Sequence, residues 1–398
     1  MERDGVSIAA GAAFGVHRPK GLSMDWERQR ELFPITRNYN FQNHAAVSPM
    51  SRRATDAVRK LLEESENSSY VEGSPYKHAE RVRAQLAKLI NANSDEVTFS
   101  KNTSDGVSMV ANGISWNNGD NVVTTNVEFP ANMYPWLALR PRGVQVRMVF
   151  EEEGRIPLER IFESIDGKTR VVAISSVEFA SGFRTDLAAL GAFCQSKGVL
   201  LFVDGAQTLG AFPIDVRAMN IDFLAAAGHK WLAGPEGLGV FYVRRELQGH
   251  LRPTSIGWMS MKEPFNFDRY HFEFADSARR YDSGGYNLMG VYALGGALEL
   301  VEEMGVDKIA NRLLFLTDRL AAGVRRRGYR VISSRSPGEG SGVLSFFSDV
   351  HAPDPIRRHL QGEHRIVIAV RGGRLRASPH YYNSEREIDQ LIEALPKH

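Results

Sequence analysis

Cysteine is almost absent from this chain: 398 residues carry a single thiol, Cys194. An internal disulfide and any multi-cysteine metal site are thereby excluded, and a reducing, cytoplasmic setting is expected. An excess of one charge is missing too. The 49 basic and 47 acidic residues nearly cancel, to a formal +2, and are mixed along the chain. Such a surface offers no large field to a polyanion, so nucleic acid is not an expected partner. Long apolar runs are also lacking, and none approaches the ~18 residues that span a bilayer. No membrane association is expected. Residues 6–16, VSIAAGAAFGV, have the length of a secretory core. Glu2 and Asp4 spoil the basic leader, however, and no small-residue cleavage site follows. The stretch reads as a floppy extension.

What is present is ordinary globular composition, 43% apolar and 24% charged, with 36 glycines for tight turns. The length exceeds the roughly 250–300 residues that one core serves. The expected division is an extension over 1–35, a large domain over 36–285 and a smaller C-terminal domain over 286–398, with the N-terminal segment packing on the last.

Between about 95 and 245, short β-rich runs alternate with helical patterns: EVTFS, NVVTTN, VQVRMVF, VVAISSV, VLLFVD, IDFLAAA and GVFYVRR. That alternation predicts a mostly parallel sheet covered by helices. Val107, Val110, Ala111 and Ile114 share one helical face; Leu187, Leu190 and Cys194 share another, which makes Cys194 a core residue. A helix through Val291, Leu294, Leu298 and Val301, then one through Ile309, Leu313, Leu316 and Leu320, bridge to an α+β terminal unit. Its strand candidates are YRVIS, GVLSFFS, RIVIAV and RLRAS, and Ser384 and Glu387 form a capping box for a final helix. Arg325, Arg326 and Arg327 read as a solvated helix end.

Asp204 closes the run VLLFVD, and Lys230 closes IDFLAAAGHK with His229 directly before it. Charged residues seldom sit flush against buried runs without a partner, so the carboxylate and the amine read as one site. The alternative is a turn-capping aspartate and a surface lysine. Pyridoxal phosphate needs this pair: a lysine for its Schiff base and a carboxylate to keep its ring nitrogen protonated. The turn before VSMVANGI opens a helix at Thr103, Ser104, Asp105 and Gly106, where free amides and hydroxyls suit a phosphate. Simple N-capping by Thr103 or Ser104 would produce the same composition.

The segments VDGAQTLGAFPIDV and DFLAAAGHKWLAGPEGLGVFYVRRE resemble the class V aminotransferase and cysteine desulfurase family of pyridoxal phosphate enzymes, over roughly residues 36 to 395. The resemblance implies fold type I: α/β, with a mostly parallel seven-stranded sheet in the large domain and a smaller α+β C-terminal domain. It implies Lys230 as internal aldimine and proton shuttle, Asp204 on the pyridine nitrogen and Gln207 on the phenolic oxygen. His229 would lie beside the phosphate or the aldimine, with Thr103 and Ser104 on the phosphate. Phe129 occupies a position where desulfurases usually show histidine; it can stack but cannot exchange protons. Arg376 matches the arginine that grips the substrate α-carboxylate, while Arg371 and Arg374 read as loop or rim residues. Asn43, His44 and Ala45 would border the pocket. Gly285 stands where a neighbouring subunit commonly offers a threonine to the phosphate, which implies a homodimer with its active site at the subunit interface.

Departures from the family pattern direct the reading further. The interval AVRGGRLR holds no mobile cysteine, Ala227 replaces a phosphate-binding serine, and Phe179 replaces an asparagine. These changes resemble the epimerase-like and kynureninase-like branches. The expected activity is that of an aminotransferase, in which an amino acid displaces Lys230, docks on Arg376 and loses its α-proton to the freed lysine. A β-eliminating carbon–sulfur or related lyase and an epimerase are the alternatives. More distant ones are a non-catalytic relative and a nucleotide-binding enzyme using GPEGLG (234–239), which no helical pattern follows. Arg184 and Trp258 are candidates for facing the substrate side chain, and no metal is expected.

Overall fold

All seven apolar runs between 95 and 245 become strands of one sheet. The computed structural model describes residues 25–69, 71 and 74–397, so the 6–16 stretch lies outside the described residues. After a short β1 (Asn40–Phe41), the sheet uses β2 (Val97–Ser100), β3 (Asn121–Thr125), β4 (Gln145–Val149), β5 (Thr169–Ser175), β6 (Leu200–Asp204), β7 (Phe223–Ala227) and β8 (Gly239–Val243). Their order is β2-β8-β7-β6-β5-β3-β4. Neighbours are parallel from β7 to β4, and β8 runs antiparallel to both β7 and β2.

Burial on both faces explains why these strands read as continuous apolar runs. Successive residues enter opposite cores: Phe202, Phe223 and Phe241 on one side, Val203, Leu224 and Tyr242 on the other. Of the helices in order, α1 (Asp25–Arg30), α2 (Arg52–Asn67), α3 (Tyr76–Leu89), α4 (Thr103–Gly113), α5 (Tyr134–Leu137), α6 (Leu158–Ser164), α7 (Leu187–Lys197) and α8 (Leu288–Met304), α4 and α7 pack on opposite faces. Helix α4 lies so close to β7 that a Cβ on Gly106 would sit 2.6 Å from that of Ala225. Glycine is required there.

The smaller sheet is antiparallel, β12-β13-β10-β9, from β9 (Arg330–Val331), β10 (Leu344–Phe347), β12 (Ala369–Arg371) and β13 (Arg374–Ala377). Helices α9 (Val306–Arg326), α10 (Pro353–His364) and α11 (Glu385–Ala394) share its core. The run RIVIAV splits: Ile366–Val367 forms β11, which pairs in parallel with β1, and only the rest joins the smaller sheet. Arg327 is more than a solvated helix end, since its guanidinium donates to the carbonyls of Glu393 and Leu395 and ties α9 to the end of α11.

The described part of the expected extension is docked. Trp26 and Phe33 are buried with Trp231, Tyr381 and Tyr382, and Arg30 donates to the Tyr382 carbonyl and to Glu387.

Candidate functional site

The carboxyl ends of β5, β6 and β7 are aligned, with Ser175 opposite Asp204 and Asp204 opposite Ala225. The chain then turns at 228–238 and returns as β8, so Lys230 projects from this turn over the strand ends. Three contacts fix the turn. Gly228 and Leu238 close it through a 2.9 Å hydrogen bond, Trp231 anchors it in the core beside Tyr381, and the His229 carbonyl accepts from the Ser48 amide at 2.8 Å.

Around these ends lies a cavity of about 300 Å³ lined by Ala45, Asn102, Thr103, Ser104, Phe129, Phe179, Asp204, Gln207, Ala227, His229, Lys230, Arg371 and Arg376, among others. Lys230 is 9% and Asp204 4% exposed. Burial pushes the lysine pKa down to about 8, against the pull of Asp204 and with the push of Arg376 and Arg371. The same burial raises the Asp204 carboxyl, while Lys230 and the Ala206 amide hold it down. Burial and the Lys230 charge keep His229 below its ordinary value, and its Nδ1 is buried without a hydrogen-bond partner.

Helix α4 points its start at this cavity. Its N-cap is Asn102, whose Oδ1 accepts from the Asp105 amide at 3.0 Å, so neither Thr103 nor Ser104 is spent on capping. The first amides of a helix have no intrahelical acceptor, and this end carries the positive pole of the helix dipole. Hydroxyls, amides and a neighbouring imidazole form a cradle suited to a phosphate.

Arg376 is buried on β13. Its Nη1 donates to the Phe179 carbonyl at 2.7 Å and its Nη2 lies 3.5 Å from Asn43 Oδ1. Its Nε is buried without a partner. Burial, then the nearby Arg371, pushes this guanidinium down to about 9.

Not every expected residue reaches the cavity. His44 is fully buried behind the wall: its Nδ1 meets the Ser378 carbonyl at 2.8 Å and its Nε2 the Tyr382 hydroxyl at 2.6 Å. Its neighbour Ala45 lines the cavity instead. Gln207 lines it as well, with its amide held between the Ala45 carbonyl and the Trp231 indole. Gly285 lies off the cavity of its own chain. Arg184 belongs to a separate cleft of about 1070 Å³, and Trp258 joins an aromatic group with Phe265 and Phe267. GPEGLG forms the return from β7 to β8 with no helix after it. Cys194 is 1% exposed, and burial pushes its thiol up to about 12.

Three residues escaped the sequence reading. Arg371 is on the cavity wall, not the rim. Glu128 and Glu178 are buried carboxyls that interact with each other and with Asp204; burial raises the first to about 7 and the second well above its ordinary value. The signal that found Asp204, a charge flush against an apolar run, was present in VVAISSVE and in RIVIAVR.

Residues 39–391 match the family model described as Aminotransferase class-V. A probable cysteine desulfurase of Methanothermobacter thermautotrophicus is 31% identical, over 94% of this chain and 98% of that protein. The uncharacterized aminotransferase YcbU of Bacillus subtilis is 29% identical, over 93% and 97%. Among solved structures, the apo cysteine desulfurase from Thermococcus onnurineus NA1 superposes with a TM-score of 0.83 at 25% identity, covering 92% of this chain and 96% of that one.

Proposed function

Because the chain belongs to the class V aminotransferase family, we propose that it works on the α-amino group of an amino acid through Lys230, as an aminotransferase. Its cofactor is pyridoxal 5′-phosphate, and the enzyme is a transferase or a lyase. The observation that carries the reading is the buried amine of Lys230 beside the Asp204 carboxylate, in one cavity with the partly unpaired Arg376.

The residues present fit the cofactor. Asp204 would face the ring nitrogen; Thr103, Ser104 and the start of α4 would hold the phosphate, with the orphaned His229 Nδ1 close by. Gln207 would reach the phenolic oxygen and Phe129 would stack on the ring. When bound, the cofactor supplies a sink for the electron pair left at the substrate α-carbon.

The chain's own residues do the rest. With its pKa near 8, roughly a tenth of Lys230 is neutral at pH 7, far more than for a solvated lysine. It can therefore act as a nucleophile and, once displaced, as the base that takes the α-proton. Arg376 meets the α-carboxylate with a guanidinium already oriented by Phe179, and the free Nε completes a fork. Phe129 covers the amine and excludes water without offering a proton. His229 is held deprotonated by burial, so it is a poor acid for a β-leaving group, which favours transamination.

β-Elimination is the second reading, and the desulfurase names of relatives favour it. A persulfide route would need a mobile thiol, whereas Cys194 is packed in the sheet core. The lone free cysteine supports a cytoplasmic setting. A homodimer belongs to the proposal: Gly285 is off its own cavity, and the nearby exposed group of Trp258, Phe265, Phe267 and Phe272 supports a subunit contact.

Borohydride reduction of the purified protein, followed by peptide mass mapping, tests the reading. The cofactor mass should appear on the peptide containing Lys230. A label on another lysine, or none after cofactor is added, would overturn it.

A further inference from the structure

Strands β12 and β13 form a hairpin in which Ala369 faces Arg376 and Arg371 faces Arg374. Side chains alternate along a strand and directly opposed residues share a side, so Arg371, Arg374 and Arg376 project from one face. The two residues at the bend, Gly372 and Gly373, are both left-handed, with φ of 55° and 72°. That is the tight return that sets hairpin register.

The three guanidiniums are treated differently. Arg374 lies 3.8 Å from Glu151. Arg376 meets neutral acceptors, the Phe179 carbonyl and Asn43 Oδ1. Arg371 donates from Nη1 to the adjacent Val370 carbonyl at 2.8 Å; among the described residues no carboxylate lies within ion-pair distance of it. Two unneutralised cations thus line one cavity, whose remaining wall near them is apolar, with Phe129, Phe179 and Ala131. Among the described residues, the only carboxylate lining that cavity is Asp204. Arg371 is felt electrostatically at both Arg376 and Lys230, so all three charges converge on the same space.

We propose that Arg371 binds a second anionic group on the substrate side chain, so that the amino acid taken is a dicarboxylate. The inference rests on the reading above in which Arg376 takes the α-carboxylate. Diagonal neighbours across an antiparallel pair have backbones about 7–8 Å apart, so Arg371 and Arg376 reach one cavity from the same face and can meet the two ends of a short dicarboxylate. A neutral side chain entering here would desolvate Arg371 without compensation, and a site that leaves a polar group unpaired rejects such a ligand.

The test is calorimetric binding of glutarate against butyrate to the cofactor-loaded enzyme, with kcat/KM for glutamate and aspartate against alanine beside it. Wild type should prefer the dicarboxylate at least about tenfold. Arg371→Gln should bring that ratio to within about threefold of unity, Arg371→Lys should keep an intermediate preference, and Arg376→Gln should weaken both ligands together. A wild-type ratio near one, or a ratio that Arg371→Gln leaves unaltered, would overturn the inference. Absence of cofactor on Lys230 after reduction would instead sink the parent reading, so the two failures are distinguishable.

Discussion

The Lys230 Nζ lies 5.2 Å from the centre of the Phe129 ring. Phe129 is 41% exposed, so it is a lid over the amine and not a core side chain, and Phe179 supports its ring edge-on at 5.2 Å. A cation over a ring face gains modest electrostatic energy, and stacking on a planar ligand adds to it. Phe129→Ala is expected to weaken cofactor binding by about 5- to 15-fold. Fluorescence titration of the apoenzyme checks this, and an unchanged Kd would remove the ring from the site.

Capture of the cofactor should depend on pH through Lys230. Its pKa is lowered to about 8 by burial, so the neutral, nucleophilic fraction grows as pH rises and levels off above 8. The rate of Schiff-base formation should climb roughly tenfold per unit below pH 7.5 and flatten by pH 9. Stopped-flow absorbance reads this directly, and a plateau displaced to pH 10 would mean a solvated lysine.

Asp204→Asn should retain the cofactor yet lose most turnover, by about 10²-fold or more, because the neutral amide cannot hold a proton on the ring nitrogen. Asp204→Glu should recover part of the loss. Equal activity of Asp204→Asn and wild type would contradict the assigned role.

Glu178 and Glu128 should make stability fall as pH rises. Both carboxyls are raised by burial, Glu128 to about 7 and Glu178 well above 4.5. The folded state keeps protons that the unfolded chain releases above about pH 4.5, so their favourable contribution is complete below that value and drains as pH approaches 7 and beyond. Glu178→Gln mimics the protonated acid. Its stability relative to wild type should rise as pH goes from 5 to 7.5. Thermal melts at the two pH values measure the difference; parallel wild-type and variant slopes would show that Glu178 is ionised in the fold.

Cys194→Ala should leave turnover within about twofold and lower stability by about 1 kcal/mol or more through the cavity it opens. Loss of sulfur release or of transamination in this variant would place the thiol in the chemistry.

The sheet was legible because its strands are buried on both faces, and a run such as VLLFVD can hardly be anything but an interior strand. Asp204 and Lys230 were legible for the same reason: a charge abutting such a run has to be compensated. His44 was misread because the direction of a loop side chain is set by distant pairing. Here β1 lies beside β11, and Ser378 and Tyr382 turn the imidazole away from the cavity. Arg371 was set aside since three arginines within six positions look interchangeable in sequence; hairpin register puts all three on one face, and only the approach of Glu151 to Arg374 separates that residue from the two lining the cavity. Glu128 and Glu178 sit on different segments, so their proximity is a property of strand order.

The pairing of β1 with β11 has a temporal consequence. His44 and Ser378, which meet through that pairing, are 334 positions apart, so the wall containing Ala45 cannot close before Ser378 has been made. During synthesis the N-terminal part emerges and organises first, leaving the strand ends that carry Asp204 and Lys230 open on one side. Closure of this side therefore waits on the segment around Ser378, which follows both strand ends in the chain.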